Sequence, residues 1–183
     1  GLNATTGAMR SLSGCFDTNQ NGTDFTLGSP SPRNSSSARV ACDYTANESD
    51  RAEEADFCNL QFPSALTLDA GTLSDTIYAQ LYEAGLTEAV GAPDGVTVQI
   101  GYGPSASSPT PSTWLWWPTS YNVQVGNNDE FQGAFVVPAP GAYSYTARIS
   151  LDGGAWTYCD LNGAGSNSGL TFETTQLGAL TVP

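Results

Sequence analysis

The chain is predicted to be an all-β protein, an antiparallel β-sandwich of immunoglobulin or fibronectin type with an extended N-terminal arm. Apolar residues alternate with polar ones in short runs from residue 57 onward, and turn-forming clusters separate these runs. No convincing amphipathic helix is present. Short alternating runs with regularly spaced turns are typical of a sandwich of about seven strands. We expect an arm at 1–42, an acidic linker at 43–57 and the sandwich at 58–183.

Each alternating run is expected to be a half-buried strand. In chain order the runs lie at 66–68, 77–82, 96–102, 131–137, 143–151, 156–158 and 177–182. In the second run Ile77, Ala79 and Leu81 share one face, which places Tyr78 and Tyr82 on the other. The loop 103–113 is rich in serine and proline, and we expect it to be exposed and unpacked. Turns are expected at 69–71, 93–95, 126–129, 138–141 and 152–154.

The arm carries few apolar side chains for its length. A segment with so little to bury does not form a core alone. We expect it to be poorly ordered in an isolated monomer or docked along a strand edge of another chain. Its anchors would then be Leu2, Met9, Leu12, Phe16, Phe25 and Leu27.

The residue types argue against catalysis. The chain has no histidine and no lysine, and its five basic residues are all arginine. It therefore lacks an imidazole for proton transfer and an amine for a Schiff base. Paired carboxylates such as Asp129 and Glu130 are sequence neighbours, so in a strand they point to opposite faces and form no acid–base pair. We expect a noncatalytic protein.

The charge excludes several partners. A net charge of −13 repels nucleic acid and anionic membranes. No run of 18 apolar residues is present, so no membrane insertion is expected.

The four cysteines, Cys15, Cys42, Cys58 and Cys159, indicate disulfides because their number is even and no CxxC pair or histidine accompanies them. Three connectivities are possible, and we favour Cys15–Cys42 and Cys58–Cys159. Disulfides indicate an extracellular or cell-surface location.

A half-loop for calcium is a weaker signal. Asp17, Asn19, Asn21 and Asp24 place oxygen ligands near Gly22, with the spacing of the first half of an EF-hand loop. The loop's last position is Gly28 rather than a bidentate glutamate. An Asx-rich turn is the alternative, and we favour it. No other cofactor is expected.

The aromatic cluster Trp114, Trp116, Trp117 and Tyr121 has two interpretations. Aromatic side chains on a sheet face can stack on sugar rings, which would make the chain a carbohydrate-binding module with a polysaccharide partner. Alternatively, Trp114 and Trp116 lie two apart and fill the sandwich core, with Trp117 ending the strand. We favour the core interpretation, and expect Trp156 to be the main core tryptophan because it lies close to Cys159.

Two stretches resemble known modules. Residues 3–38, with the run Cys15-Phe-Asp-Thr-Asn-Gln-Asn-Gly-Thr-Asp-Phe, resemble the C-terminal end of lamin-tail domains in secreted bacterial proteins. Residues 58–183, opening Cys58-Asn-Leu-Gln-Phe-Pro and closing Trp156-Thr-Tyr-Cys-Asp-Leu, resemble an uncharacterised β module of secreted myxobacterial-type proteins. The first resemblance implies a noncatalytic, immunoglobulin-like segment. The second supports pairing Cys58 with Cys159.

These observations together predict a noncatalytic extracellular structural or surface module. Its arm would join it to a second copy or to an upstream chain by strand addition. The alternatives are a carbohydrate-binding module and an accessory fragment of a secreted hydrolase.

Overall fold

The computed structural model describes residues 5–10, 22, 25–32, 55–109, 112–162 and 172–183, and the backbone alone of 43–45. The chain divides into two compact units, Gly1–Cys42 and Asp43–Pro183. In the first unit, strands β1 (Gly7–Arg10) and β2 (Phe25–Gly28) pair antiparallel. The Arg10 guanidinium lies 5.0 Å from the centre of the Phe25 ring. Among the predicted anchors in the described part of this unit, Leu27 is exposed.

The second unit contains two sheets, of which the smaller, sheet 1, has four antiparallel strands. Its order is β4-β6-β10-β9. These strands span Phe57–Phe62 (β4), Ile77–Tyr82 (β6), Ser120–Val125 (β9) and Asn128–Gly133 (β10). A two-residue turn with Gly126 at φ +68° joins β9 to β10, which suits the twist of a hairpin.

Sheet 2 is built on the long strand β11 (Gly141–Leu151). One side of β11 pairs antiparallel with β7 (Val96–Pro104) over nine residue pairs, and β7 then pairs with β8 (Leu115–Pro118). On the other side, the first half of β11 pairs with β13 (Gly178–Val182) and the second half with β12 (Trp156–Tyr158).

Two short strands complete sheet 2 by parallel pairing. Strand β5 (Ala65–Thr67) lies beside β13, and strand β3 (Asp43–Thr45) lies beside β12. The segment 43–57, which was expected to be a linker, therefore carries a sheet strand near its start. Residues 55 and 57, at its end, are buried. A 3₁₀ turn at Thr174–Gln176 precedes β13.

The core fills the space between the inner faces of the two sheets, because alternate residues of each strand point inward. Sheet 1 contributes Cys58, Leu60, Ile77, Ala79, Leu81 and Phe131. Sheet 2 contributes Val98, Ile100, Tyr102, Tyr145, Ala147, Ile149, Leu151, Leu180 and Val182. Leu68, Phe135 and Val137 close the core from the connections.

The predicted all-β, antiparallel sandwich is confirmed at this level, and the alternating runs of β6, β7 and β11 lie as expected. The described part of the second unit has more strands than the seven expected. Strands β3, β4 and β8 lack a clean period-two pattern, and the alternation of Tyr121, Val123 and Val125 in β9 was overlooked. The loop 103–113 is more packed than expected. Pro109 is buried, and the Ser107 hydroxyl accepts a hydrogen bond from the Trp114 indole at 3.0 Å.

The predicted disulfide Cys58–Cys159 is confirmed and joins the two sheets, with the two Cα atoms 5.4 Å apart. Beside it, the Leu60 amide donates to the Asp160 carbonyl at 2.7 Å. The buried Thr146 hydroxyl donates to the Cys159 carbonyl. A covalent bond and one hydrogen bond thus fix β4 against the residues after β12, and the Thr146 bond ties the same residues to β11.

Replacing Cys58 and Cys159 together with alanine is expected to lower the free energy of unfolding by about 4–5 kcal/mol. The disulfide joins residues 101 positions apart, and so it greatly reduces the conformational entropy of the unfolded chain. Urea unfolding followed by tryptophan fluorescence measures the change. A loss below about 1 kcal/mol would contradict a cross-linking role.

Candidate functional site

The outer face of sheet 2 carries a stack of three tryptophans and one arginine, which we call the tryptophan–arginine stack. Its members are Trp114, Trp116, Arg148 and Trp156. The Trp114 and Trp116 rings stack with centroids 5.6 Å apart. The Arg148 guanidinium lies 4.2 Å from the centre of the Trp116 ring and 4.0 Å from that of Trp156. Each cation–π contact contributes about 0.5–2 kcal/mol.

Strand pairing sets the order of this stack. Arg148 on β11 lies directly opposite Gln99 on β7, and its Nε and Nη2 both donate to Gln99 Oε1 at 2.9 and 2.6 Å. This pair of bonds holds the guanidinium where the Trp116 and Trp156 rings contact it. Tyr158, opposite Arg148 on β12, is buried beside Trp116 with ring centroids 5.9 Å apart.

Two glycines on β7 make room for the indoles. A Cβ atom on Gly101 would lie 2.5 Å from Cε3 of Trp116, and one on Gly103 would lie 2.5 Å from Cδ1 of Trp114. Both distances are too short for any side chain. The Gly-Tyr-Gly spacing is therefore the sequence signal that two large rings lie flat on this face, and our sequence analysis missed it.

The four aromatic residues, for which a sugar-binding surface was the alternative interpretation, do not share one face. Trp114 is buried and Trp116 half-buried within the stack, whereas Trp117 and Tyr121 turn toward the core. Trp117 stacks on Tyr102 with centroids 5.4 Å apart, and Tyr121 meets Phe131 edge-on at 5.8 Å. Adjacent residues of a strand point to opposite faces, which separates Trp116 from Trp117.

The prediction that Trp114, Trp116 and Trp156 fill the sandwich core was also wrong. Trp117 is the tryptophan that packs on the core, whereas Trp114, Trp116 and Trp156 lie on the outer face. Trp156 is half-buried against Arg148 despite its closeness to Cys159 in sequence. The strand β12 places Trp156 and Cys159 on different faces.

The outer face of sheet 1 has a different chemistry, and we call it the amide–tyrosine face. Tyr78, Gln80 and Tyr82 project from β6 on the side opposite Ile77 and Leu81. Strand register places the other members opposite them: Phe57, Asn59 and Phe62 on β4, and Asn128, Glu130 and Gln132 on β10. Val123 and Val125 of β9 complete this face.

Polar contacts order this face. The Asn122 side-chain amide donates to Glu130 Oε1 at 2.5 Å, and the Asn128 side-chain amide donates to Gln80 Oε1 at 3.5 Å. Tyr82 donates its hydroxyl hydrogen to Glu88 Oε1 at 3.2 Å. The row Asn59, Gln80 and Glu130 therefore crosses three strands as a polar strip.

Asp129 and Glu130 point to opposite faces, as the sequence predicts for neighbours in a strand. Asp129 faces the core opposite Leu81 and Gln124, with 0% of its surface exposed. Neither carboxyl oxygen has a hydrogen-bond partner, and neither does the nearby Gln124 Oε1. Burial raises the pKa of Asp129 to about 6, because a charged carboxylate is poorly solvated there.

A second buried carboxyl, Asp160, has a structural role. Its Oδ1 accepts from the Asn162 amide and its Oδ2 from the Glu173 amide, both at 2.8 Å. Burial raises the pKa of Asp160, and these two backbone bonds oppose the shift. Asp160 thus ties the end of β12 to the segment before β13.

The predicted calcium ligands Asp17, Asn19, Asn21 and Asp24 lie outside the described residues, as do Cys15 and Cys42. Within the described ranges, no three acidic or cysteine side chains come together as a metal site. Nor does any helix in these ranges have the length and apolar character needed to cross a membrane.

No protein-family model matches the chain, and no curated protein sequence is significantly similar to it. The resemblances of residues 3–38 and 58–183 stay predictions.

Replacing Arg148 with alanine is expected to destabilise the second unit by about 2–3 kcal/mol, because two indole contacts and the double bond to Gln99 are lost. Arg148→Lys should recover only part of this, since lysine lacks the planar fork. Urea unfolding of the wild type and both variants measures the difference. Equal stability of all three proteins would contradict the energetic role of the stack.

Asp129→Asn is expected to stabilise the protein at pH 8 by about 1–3 kcal/mol, with no gain at pH 3.5. The folded pKa lies above the ordinary value of 3.8. Between these two pKa values, the native state keeps a proton on Asp129 that the unfolded chain has released. The free energy of unfolding of the wild type therefore falls as pH rises from about 4 to about 6.

Urea unfolding at both pH values tests this effect. The control is Asp75→Asn, which removes the same charge at an exposed position. A gain for Asp129→Asn that is the same at pH 3.5 and pH 8 would contradict the buried-charge explanation.

Proposed function

We propose that this chain is a noncatalytic extracellular structural or surface module that assembles with a neighbouring chain by strand addition. We take the sandwich to be of immunoglobulin or fibronectin type; in antibody domains of this architecture a disulfide joins the two facing sheets. The inter-sheet bond Cys58–Cys159 supports this assignment and is compatible with secretion.

The observation that carries the proposal is the character of strand β9. It is the last strand of sheet 1 in the described part of the chain, and its sequence Ser-Tyr-Asn-Val-Gln-Val contains no charge and no proline. Val123 and Val125 are 47% and 43% exposed. Natural edge strands usually carry lysine, proline or inward charges that block pairing, and β9 has none of these.

The opposite edge of sheet 1 is closed, which makes β9 the acceptor. Strand β4 is bridged to Asp160 through its residue Asn59 and is joined to sheet 2 by the disulfide. An incoming strand of a second copy or of an upstream chain would therefore add at β9. The donor we propose is the N-terminal arm, within which β1 and β2 already adopt extended backbone.

The strongly negative net charge favours association through an uncharged part of the surface. The chain carries −13, so two copies repel each other over most of their surface. A strand of six uncharged residues with two exposed valines is a place where copies can approach at low electrostatic cost.

Val123→Lys is expected to weaken or abolish self-association, because a lysine on an edge strand blocks pairing. The matched control Val90→Lys makes the same change at a valine that is 93% exposed in the connection after β6, and it should leave association unchanged. Light scattering after size-exclusion chromatography, over a range of protein concentrations, measures the assembly.

Removing residues 1–40 should likewise give a folded monomer, because the donor is lost while β3 and both sheets remain. A wild-type chain that stays monomeric at all concentrations, or an assembly that survives both Val123→Lys and the deletion, would refute strand addition at β9.

A further inference from the structure

The amide–tyrosine face has the form of a shallow binding surface. Its central residues Gln80 and Glu130 are only 8% and 9% exposed, whereas Phe62, Val123 and Val125 around them are 62%, 47% and 43% exposed. The polar side chains at the centre are therefore recessed relative to the exposed apolar side chains around them. A protein surface that offers fixed polar groups within an apolar border is suited to hold a ligand.

The centre presents a donor and an acceptor side by side. Gln80 and Glu130 are directly opposite on β6 and β10, so their Cβ atoms lie about 5 Å apart. The hydrogen bonds of these two side chains within the described residues use Gln80 Oε1 and Glu130 Oε1, and Gln80 Nε2 and Glu130 Oε2 do not belong to the fully buried, unpaired polar atoms. One side chain thus offers an N–H and its neighbour offers a carboxylate oxygen to the outside.

This pairing is complementary to hydroxyl groups. A hydroxyl donates one hydrogen bond and accepts others, so two adjacent hydroxyls can bond to Glu130 and Gln80 at once. A cation would be attracted by Glu130 but not by the amide N–H of Gln80. An anion would be repelled by Glu130 and by the net charge of −13.

Aromatic rings flank the centre along the same strand. Tyr78 and Tyr82 are half-buried and lie four residues apart, which corresponds to about 13 Å along β6. Phe62 lies opposite Tyr78 on β4. Flat rings cover the apolar faces of sugar rings, and their own rigidity keeps the entropic cost of contact low.

We propose that the amide–tyrosine face binds a neutral polysaccharide, with Gln80 and Glu130 hydrogen-bonding to its hydroxyl groups and Tyr78 and Phe62 stacking on its rings. The bond from Asn122 to Glu130 Oε1 fixes the carboxylate, so that Oε2 is the oxygen presented to the sugar. This site is separate from the tryptophans of the stack, whose rings contact one another and Arg148.

Binding of the full chain to insoluble cellulose, chitin, β-1,3-glucan, xylan and mannan tests the proposal, with alginate as an anionic probe and chitosan as a cationic one. We expect retention on at least one neutral polymer, with an affinity that changes little between low and high salt because no ion pair is involved. Gln80→Glu, which keeps the shape but removes the donor, should weaken binding about ten-fold. Tyr78→Ala should weaken it about 2- to 10-fold.

The matched control is Gln176→Ala, an exposed glutamine in the 3₁₀ turn before β13, which should bind like the wild type. Thermal unfolding confirms that each variant is folded, and Gln80→Glu is retained as the isosteric test if Tyr78→Ala unfolds. No retention on any neutral polymer, retention on chitosan alone, or full binding by Gln80→Glu would each overturn the proposal. These outcomes are independent of self-association, which is measured without polysaccharide.

Discussion

The junction at Cys58–Cys159 is the constraint on which the other features depend. It brings the start of β4 to the end of β12 and adds the backbone bond from Leu60 to Asp160. Because this side of the sandwich is closed, sheet 1 is left with one unpaired edge, at β9, among the described strands. The same junction determines which residues of β4 face outward, and so places Asn59 in line with Gln80.

The outer faces of the two sheets differ in how their side chains pack. On sheet 2, the large aromatic rings contact one another, an arginine and two glycines. These aromatic side chains therefore stabilise the arrangement of the strands. On sheet 1, hydrogen bonds join Asn122 to Glu130 and Asn128 to Gln80, while Phe62, Val123 and Val125 are exposed. The exposed apolar side chains of sheet 1 are therefore the ones available to the partners that we propose.

The sequence predicted the strands with clean alternation, and with them part of the site. The pattern of 77–82 places Tyr78 and Tyr82 on the non-core face, where they lie. It cannot give the partners of β6, because the register depends on contacts made across 16 to 25 residues of chain for β4 and 48 to 56 residues for β10. The pairing of Gln80 with Glu130 therefore became visible only in the folded structure. Alternation also predicts that Trp116 and Trp117 face opposite sides of the sheet, but not which of them faces the core. The open space over Gly101, where a side chain is absent, determines that Trp116 lies on the outer face.

The spacing of the disulfide has a consequence for how the molecule withstands damage. Cys58 and Cys159 enclose most of the sandwich, including the connections after β6 and β7, of which the first has exposed residues such as Val90. Exposed loop tips are where extracellular proteases cut first. A single cut between the two cysteines yields two polypeptides that stay covalently joined, with β7 still paired to β11 and β6 still paired to β10. The nicked molecule therefore keeps its sheets and the surfaces they carry, and a hydrolysed peptide bond in these connections does not release a fragment.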